Sequence, residues 1–181
     1  MAVSNVKEYW SNRYAKQGYL TTGFNGHNEK QMQENYKERF EWLNNRLPNK
    51  RDNVLDYGCG TGRYVGLFGS GYVGYDISKQ ALSMAQDLHP DKAFLNFEPL
   101  TCEVLFTSTV LQHNTDKEVK RVLEKYSYAR EFWLYEFTGE SKATHMASRT
   151  VGDYERLSGK DIKFFYSHVT HGEQHSLMIL E

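Results

Sequence analysis

Two periods of apolar residues divide the chain. Val6, Trp10 and Tyr14 return at every fourth position behind Ser4 and Asn5, both good N-caps, and predict a short first helix. After a loop-like stretch from Gly18 to Asn28, Met32, Tyr36, Phe40, Leu43 and Leu47 form a second helical stripe, with Asn28 as its cap and Pro48 as its stop. From Asn53 the rhythm changes. Short apolar runs alternate with helical stretches: NVLDYG, a helix from about Gly62, YVGYD, a Ser78-capped helix carrying Ala81, Leu82, Ala85 and Leu88, then KAFLNF. CEVLFTST follows, then a helix opened by the capping box TDKE (Thr115 to Glu118) with Val119, Val122, Leu123 and Tyr126 turned inward, then EFWLYEF. Such alternation predicts a parallel sheet with crossover helices. The end of the chain breaks the pattern. After a short helix around Val151 to Leu157, IKFFYSHV and HSLMILE are separated only by THGEQ, a link that allows only an antiparallel pair.

The 181 residues suit one domain with a substantial core. Lys plus Arg (22) nearly balances Asp plus Glu (23), so no long-range basic field recruits nucleic acid. Cys59 and Cys102 have no CxxC partner, which argues against a zinc module or a disulfide framework and fits a reducing compartment. No signal peptide and no apolar run of spanning length is visible, so a soluble, cytoplasmic protein is expected; the oligomeric state stays open.

The densest chemistry lies in DYGCGTG. Asp56 ends the first strand, and Gly58, Gly60 and Gly62 occupy alternate positions, where glycine lets the backbone turn sharply and lets a ligand approach it closely. A nicotinamide fingerprint is spaced GxGxxG and receives a pyrophosphate at a helix N-terminus. Here the spacing is GxGxG, and an acid stands two residues before the first glycine, where it would repel a phosphate. Asp76 closes the second strand 20 residues after Asp56, a place from which a carboxylate accepts both ribose hydroxyls. A nucleoside carrying a positive group fits both acids.

With these motifs the chain resembles the class I, Rossmann-like S-adenosylmethionine-dependent methyltransferases, in particular their small single-domain members. VLDYGCGTGRY looks like their first motif, YVGYDIS their second, FTSTVLQHNTD the segment after their fourth strand, EFWLYEF their fifth strand and HVTHGEQHSLMILE their closing hairpin. The resemblance implies an α/β fold, a Rossmann-like three-layer sandwich whose mostly parallel seven-stranded sheet ends in an antiparallel C-terminal hairpin. It implies a single domain over residues 1–181, with a helical lid at 1–48 and the core at 53–181. It implies S-adenosyl-L-methionine as cofactor, with Gly58, Cys59 and Gly60 beneath its methionine portion, Asp56 on its amino group, Asp76 on the ribose and Ile77 against the adenine. Asn96, or alternatively Glu98, would take the adenine amine, with Phe97 and Thr107 completing the set. EYWSNRYA resembles the family's lid helix, so Arg13 is expected on the cofactor carboxylate, with Tyr9, Trp10 and Tyr14 around it.

Methyl transfer from a sulfonium needs mainly positioning and water exclusion, with a base only where the nucleophile must lose a proton. His113, just past the fourth strand, is the best-placed base, and Glu136, at the end of the fifth, either binds substrate, orients that base or simply pairs with a neighbouring cation. In the segment from Thr138 to Glu155, His145, Arg149 and Tyr154 are the polar residues expected to meet substrate. Spacing argues against a metal site at His168, His171 and His175. TSTVLQH carries neither the Asn/Asp-Pro-Pro-aromatic motif of amino-directed DNA enzymes nor the Pro-Cys of cytosine C5 enzymes. The expected acceptor is therefore a small molecule with an oxygen or nitrogen nucleophile. RNA or protein methylation, a catalytically silent cofactor-binding subunit and a dehydrogenase are the competing readings.

Overall fold

The computed structural model describes residues 6–18, 21, 28–49, 51–140, 145–170 and 172–181. The expected caps Ser4 and Asn5, most of the loop before Asn28, and His171 lie outside them. Two helices come first, α1 (Val6–Gln17) and α2 (Glu29–Asn44), and Asn28 caps α2 through a reciprocal box with Gln31. The strands are β1 (Val54–Tyr57), β2 (Val73–Tyr75), β3 (Ala93–Leu95), β4 (Val104–Ser108), β5 (Glu131–Phe137), β6 (Ile162–Thr170) and β7 (Glu173–Leu180), and the remaining helices are α3 (Lys79–Leu88), α4 (Asp116–Lys125) and α5 (Val151–Ser158).

These seven strands form one sheet in the order β3-β2-β1-β4-β5-β7-β6. The first five are parallel; β7 inserts antiparallel between β5 and β6. Capping explains the helix starts: Ser78 accepts from Ala81 at α3, and Thr115 and Thr150 each close a capping box at α4 and α5. Alternating strand residues fill two cores, one on each face. Val54, Phe106, Trp133 and Leu177 pack toward α2, while Leu55, Leu105, Leu134 and Met178 pack toward α4 and α5. The result is the expected three-layer sandwich. Among the described residues no helix is long and apolar enough to cross a membrane.

One expected element is replaced. No α-helix follows the glycine turn; the stretch after Gly62 forms only a single 3-10 turn, Val65–Leu67. Gly62 stands at φ +75°, and Gly66 and Gly69 follow at short intervals, each about 1 kcal/mol less favourable in a helix than alanine. Tyr64, Val65, Leu67 and Phe68 are all buried nonetheless, with Tyr64 and Phe68 edge-on to Phe106. Packing compensates for the helix that the glycines prevent. A helix N-terminus for a pyrophosphate is missing as well.

Candidate active site

The connection from β3 to β4 crosses behind β2 and β1, so the chain reverses its strand order between β1 and β4, the place where open α/β sheets bind ligands. A cavity opens there, at the place such sheets offer a small molecule. Its floor is the glycine turn. Gly58 and Cys59 donate backbone N–H groups to the Tyr75 carbonyl at 2.7 and 2.9 Å, and Gly60 donates to Asp76 Oδ2 at 3.0 Å. Glycine is required by space as well as by its positive φ: a Cβ on Gly58 would run into Val110, and one on Gly60 would lie 2.6 Å from the Tyr14 hydroxyl.

Two buried carboxylates flank this floor. Asp76 accepts from Gly60 and, at 2.8 Å, from the Ser78 N–H; burial still pushes it up to about 6, although these bonds oppose the shift. Among the described residues Asp56 accepts only from the Tyr72 hydroxyl, at 2.9 Å, and burial pushes it up to about 7, with the Asp76 charge adding to the shift. Both line the cavity. A carboxylate has about four acceptor positions, so each retains capacity for a ligand.

Of the other expected contacts, Trp10, Tyr14, Cys59, Ile77 and His113 also line the cavity. His113 is nearly buried, edge-on to Trp10 at 5.0 Å and stacked on the His145 ring at 5.3 Å with a 6° interplanar angle. Its Nδ1 lies 3.3 Å from the His145 carbonyl oxygen, an arrangement that assigns the proton to Nδ1 and leaves the Nε2 lone pair free. Burial holds this imidazole down at about 4, so it is neutral at physiological pH.

Several expected site residues stand away from the cavity lining. Arg13 does not line the cavity; it donates to the Tyr9 hydroxyl at 2.8 Å and to the Thr21 carbonyl at 2.9 Å, tying α1 to the segment after it. Tyr9 and His145 likewise stand outside the cavity wall, as a layer behind Trp10 and His113. Asn96 and Phe97 are exposed, because β3 ends at Leu95 and the chain turns outward. Glu98 is occupied by Tyr57 at 2.8 Å, Arg121 at 2.8 Å and Lys125 at 2.6 Å, which hold its carboxyl down at about 2. Thr107 does not line the cavity; its hydroxyl donates to Glu136 Oε1 at 2.8 Å.

Glu136 is itself sealed. Besides Thr107 it accepts from the backbone N–H groups of Val110 and Gln112, at 3.2 and 3.3 Å, and it has no exposed surface. Burial raises it to about 7. It anchors the turn that carries His113 and does not reach the cavity. Arg149 is buried too, donating to Asp116, to the Leu111 carbonyl and to the Asn114 carbonyl, and Tyr154 is a core residue; neither is available to a substrate. His168 and His175 face each other across β6 and β7, and His168 stacks on Trp42 at 4.2 Å. Among the described residues no group of three His, Cys, Asp or Glu could hold a metal.

The structure adds residues that the sequence reading missed. Arg63 lines the cavity with its guanidinium 3.7 Å from the centre of the Tyr36 ring, and Tyr57, Tyr64, Tyr75 and Ser108 complete the wall. Position alone could have pointed to Arg63, which directly follows the third glycine.

No family model and no curated protein matches the chain. Solved structures do. The magnesium protoporphyrin IX methyltransferase of Synechocystis PCC 6803 with bound SAH is 18% identical with a TM-score of 0.66, over 98% of this chain and 94% of its own. A SAM-dependent methyltransferase from Leishmania major is 16% identical with a TM-score of 0.73, over 97% of this chain and 81% of its own. A cyclopropane synthase from Mycobacterium tuberculosis is 10% identical with a TM-score of 0.73, over 100% of this chain and 99% of its own. Strand order, closing hairpin and these likenesses agree: the chain has the class I, Rossmann-like fold of the S-adenosylmethionine-dependent methyltransferases.

Proposed function

We propose that this protein is an S-adenosylmethionine-dependent methyltransferase acting on a small molecule through an oxygen or nitrogen nucleophile. The observation that carries this reading is the pair of buried, cavity-facing carboxylates, Asp56 and Asp76, on either side of a glycine floor with no α-helix behind it. A buried carboxylate that faces a cavity favours a positively charged ligand, and one with spare acceptor positions favours hydroxyls. The pyrophosphate of a dinucleotide fails the first condition beside Asp56. S-adenosylmethionine, with an ammonium, a ribose and a sulfonium, meets both, and structural neighbours of this fold carry it or SAH.

In this reading Asp76 holds the ribose hydroxyls, Asp56 the ammonium, Ile77 the adenine face and Arg63 the carboxylate, with Gly58 and Gly60 permitting close approach. Bound there, the cofactor supplies an activated methyl group. Trp10 and Tyr14 of α1 exclude water from above, and Tyr36 and Tyr64 give the acceptor side an aromatic wall suited to a modest, partly apolar molecule. His113 Nε2 takes the proton that the nucleophile loses; His145, through its carbonyl, fixes the tautomer, and Glu136 holds the turn. The near-neutral charge gives no support to a nucleic-acid acceptor.

Calorimetric titration of S-adenosylmethionine and S-adenosylhomocysteine into wild type and Asp76→Ala tests this reading. Micromolar binding by wild type, weakened at least tenfold by the substitution, about 1.4 kcal/mol, is the expected result. Absence of binding to wild type overturns it.

A further inference from the structure

β6 ends the sheet, and among the described residues no strand or helix lies along its outer edge. Eight large apolar side chains are exposed on the described surface, and four of them stand on this one strand: Phe164 at 52%, Phe165 at 56%, Tyr166 at 40% and Val169 at 67%. The register with β7 assigns their faces. Phe164 and Tyr166 pair with Ile179 and Leu177 on the α2 face, and Phe165 pairs with Met178 on the other. The edge is therefore apolar on both sides of the sheet.

Edge strands are normally protected by short length, charge, proline or bulges. β3, at the other end of the sheet, has three residues, whereas β6 has nine. Its only charged residue is Lys163, near the start, paired with Glu181 at 2.6 Å, and its one irregularity lies between Ile162 and Phe164. From Phe164 to Thr170 the strand is regular and uncharged. Such a segment is a template for another strand.

We propose that β6 pairs antiparallel with β6 of a second copy of this chain, joining two seven-stranded sheets about a two-fold axis. The strand complements itself. Centred on Tyr166, the pairing sets Tyr166 against Tyr166, Phe164 against His168 and Phe165 against Ser167 of the second copy, with Lys163, at the irregularity, beyond the paired stretch. The two Lys163 side chains thus stand at opposite ends, where a parallel arrangement would set them side by side, like charges directly opposed. The exposed parts of the four apolar side chains supply on the order of 300–400 Å² per copy. A standard interface takes about 800 Å² per partner. The open groove beside the strand, lined by Val151, Gly152 and Glu155, offers the flank for the remainder.

Tyr166 gives the test, because the two-fold axis sets it against itself. Sedimentation velocity of the purified chain from micromolar to sub-millimolar concentration should show a reversible dimer. Tyr166→Lys and Tyr166→Glu should each raise the dimer Kd at least tenfold, and an equimolar mixture of the two variants should dimerise again, because opposite charges then face each other. Tyr166 is partly exposed and does not line the cavity, so thermal melts and cofactor titration report whether both variants fold. A wild type that stays monomeric overturns the proposal, and so does a mixture that associates no better than either variant alone.

Discussion

Asp56 and Glu136 make an instructive pair. Each lies near the carboxyl end of a parallel strand, each is buried, and burial pushes each up to about 7. Their surroundings differ. Glu136 is met by a hydroxyl and two backbone N–H groups and has no path to the cavity, whereas Asp56 has one tyrosine hydroxyl and an open side. A carboxylate satisfied from within fixes structure; one left under-satisfied at a cavity is reserved for a ligand. Burial and charge alone do not separate the two roles. The hydrogen-bond inventory does.

The largest effect expected from this division falls on the residue that Glu136 positions. His113→Ala should lower kcat by about 100-fold, the lower end of the range for general-base removal because an imidazole held at about 4 is a weak base. Cofactor affinity should barely move, and the wild-type kcat at saturating cofactor should be flat with pH above about 5, where the imidazole is already neutral. An unchanged kcat would remove His113 from the chemistry. Next come the carboxylates themselves. Asp56→Asn should weaken S-adenosylmethionine binding about tenfold, measured by calorimetry, with little loss of thermal stability. Glu136→Gln should do the reverse, keeping the affinity but lowering stability by about 1–3 kcal/mol, because an amide cannot accept all three bonds. If both variants lose affinity alike, the distinction between them fails.

The parts of the molecule that were legible in the sequence are those set by local periodicity and spacing. Strand and helix alternation gave the parallel sheet, THGEQ gave the antiparallel closure, and DYGCGTG with Asp76 gave the cavity floor, because each depends on residues near one another in the chain. What the sequence leaves open depends on which partners the fold brings to a residue. Thr107 and Ser108 are adjacent, yet only Ser108 meets the cavity, since the Thr107 hydroxyl is taken by Glu136, which is distant in sequence. Arg149 has its carbonyl partners on the turn from Leu111 to Asn114, far from it in the chain. Arg13 was placed by the helix it stands on, and the segment at Thr21 had already claimed it. Six glycines between Gly58 and Gly71 read as a turn followed by a helix, but the buried rings of Tyr64 and Phe68 held the stretch compact without one.

The smallest effect concerns pH, and its sign follows from the two cavity carboxylates. Asp56 and Asp76 bind protons more tightly in the folded protein, at about 7 and about 6, than at the ordinary carboxylate value of 3.8. Their contribution to stability is therefore fully present below the unfolded value and is lost as pH rises through the folded values. The ligand-free protein should lose stability from this source between about pH 4 and pH 7. A bound ammonium beside Asp56 stabilises the ionised form and returns part of that loss. The rise in melting temperature caused by saturating S-adenosylmethionine should accordingly be larger by a few degrees at about pH 8 than at about pH 5.5. Asp56→Asn should flatten this difference, whereas Glu136→Gln should leave it intact, because Glu136 faces no ligand. A ligand-induced shift that is independent of pH in the wild type would mean that Asp56 meets no cation, and the contrast between the two carboxylates would then be one of packing alone.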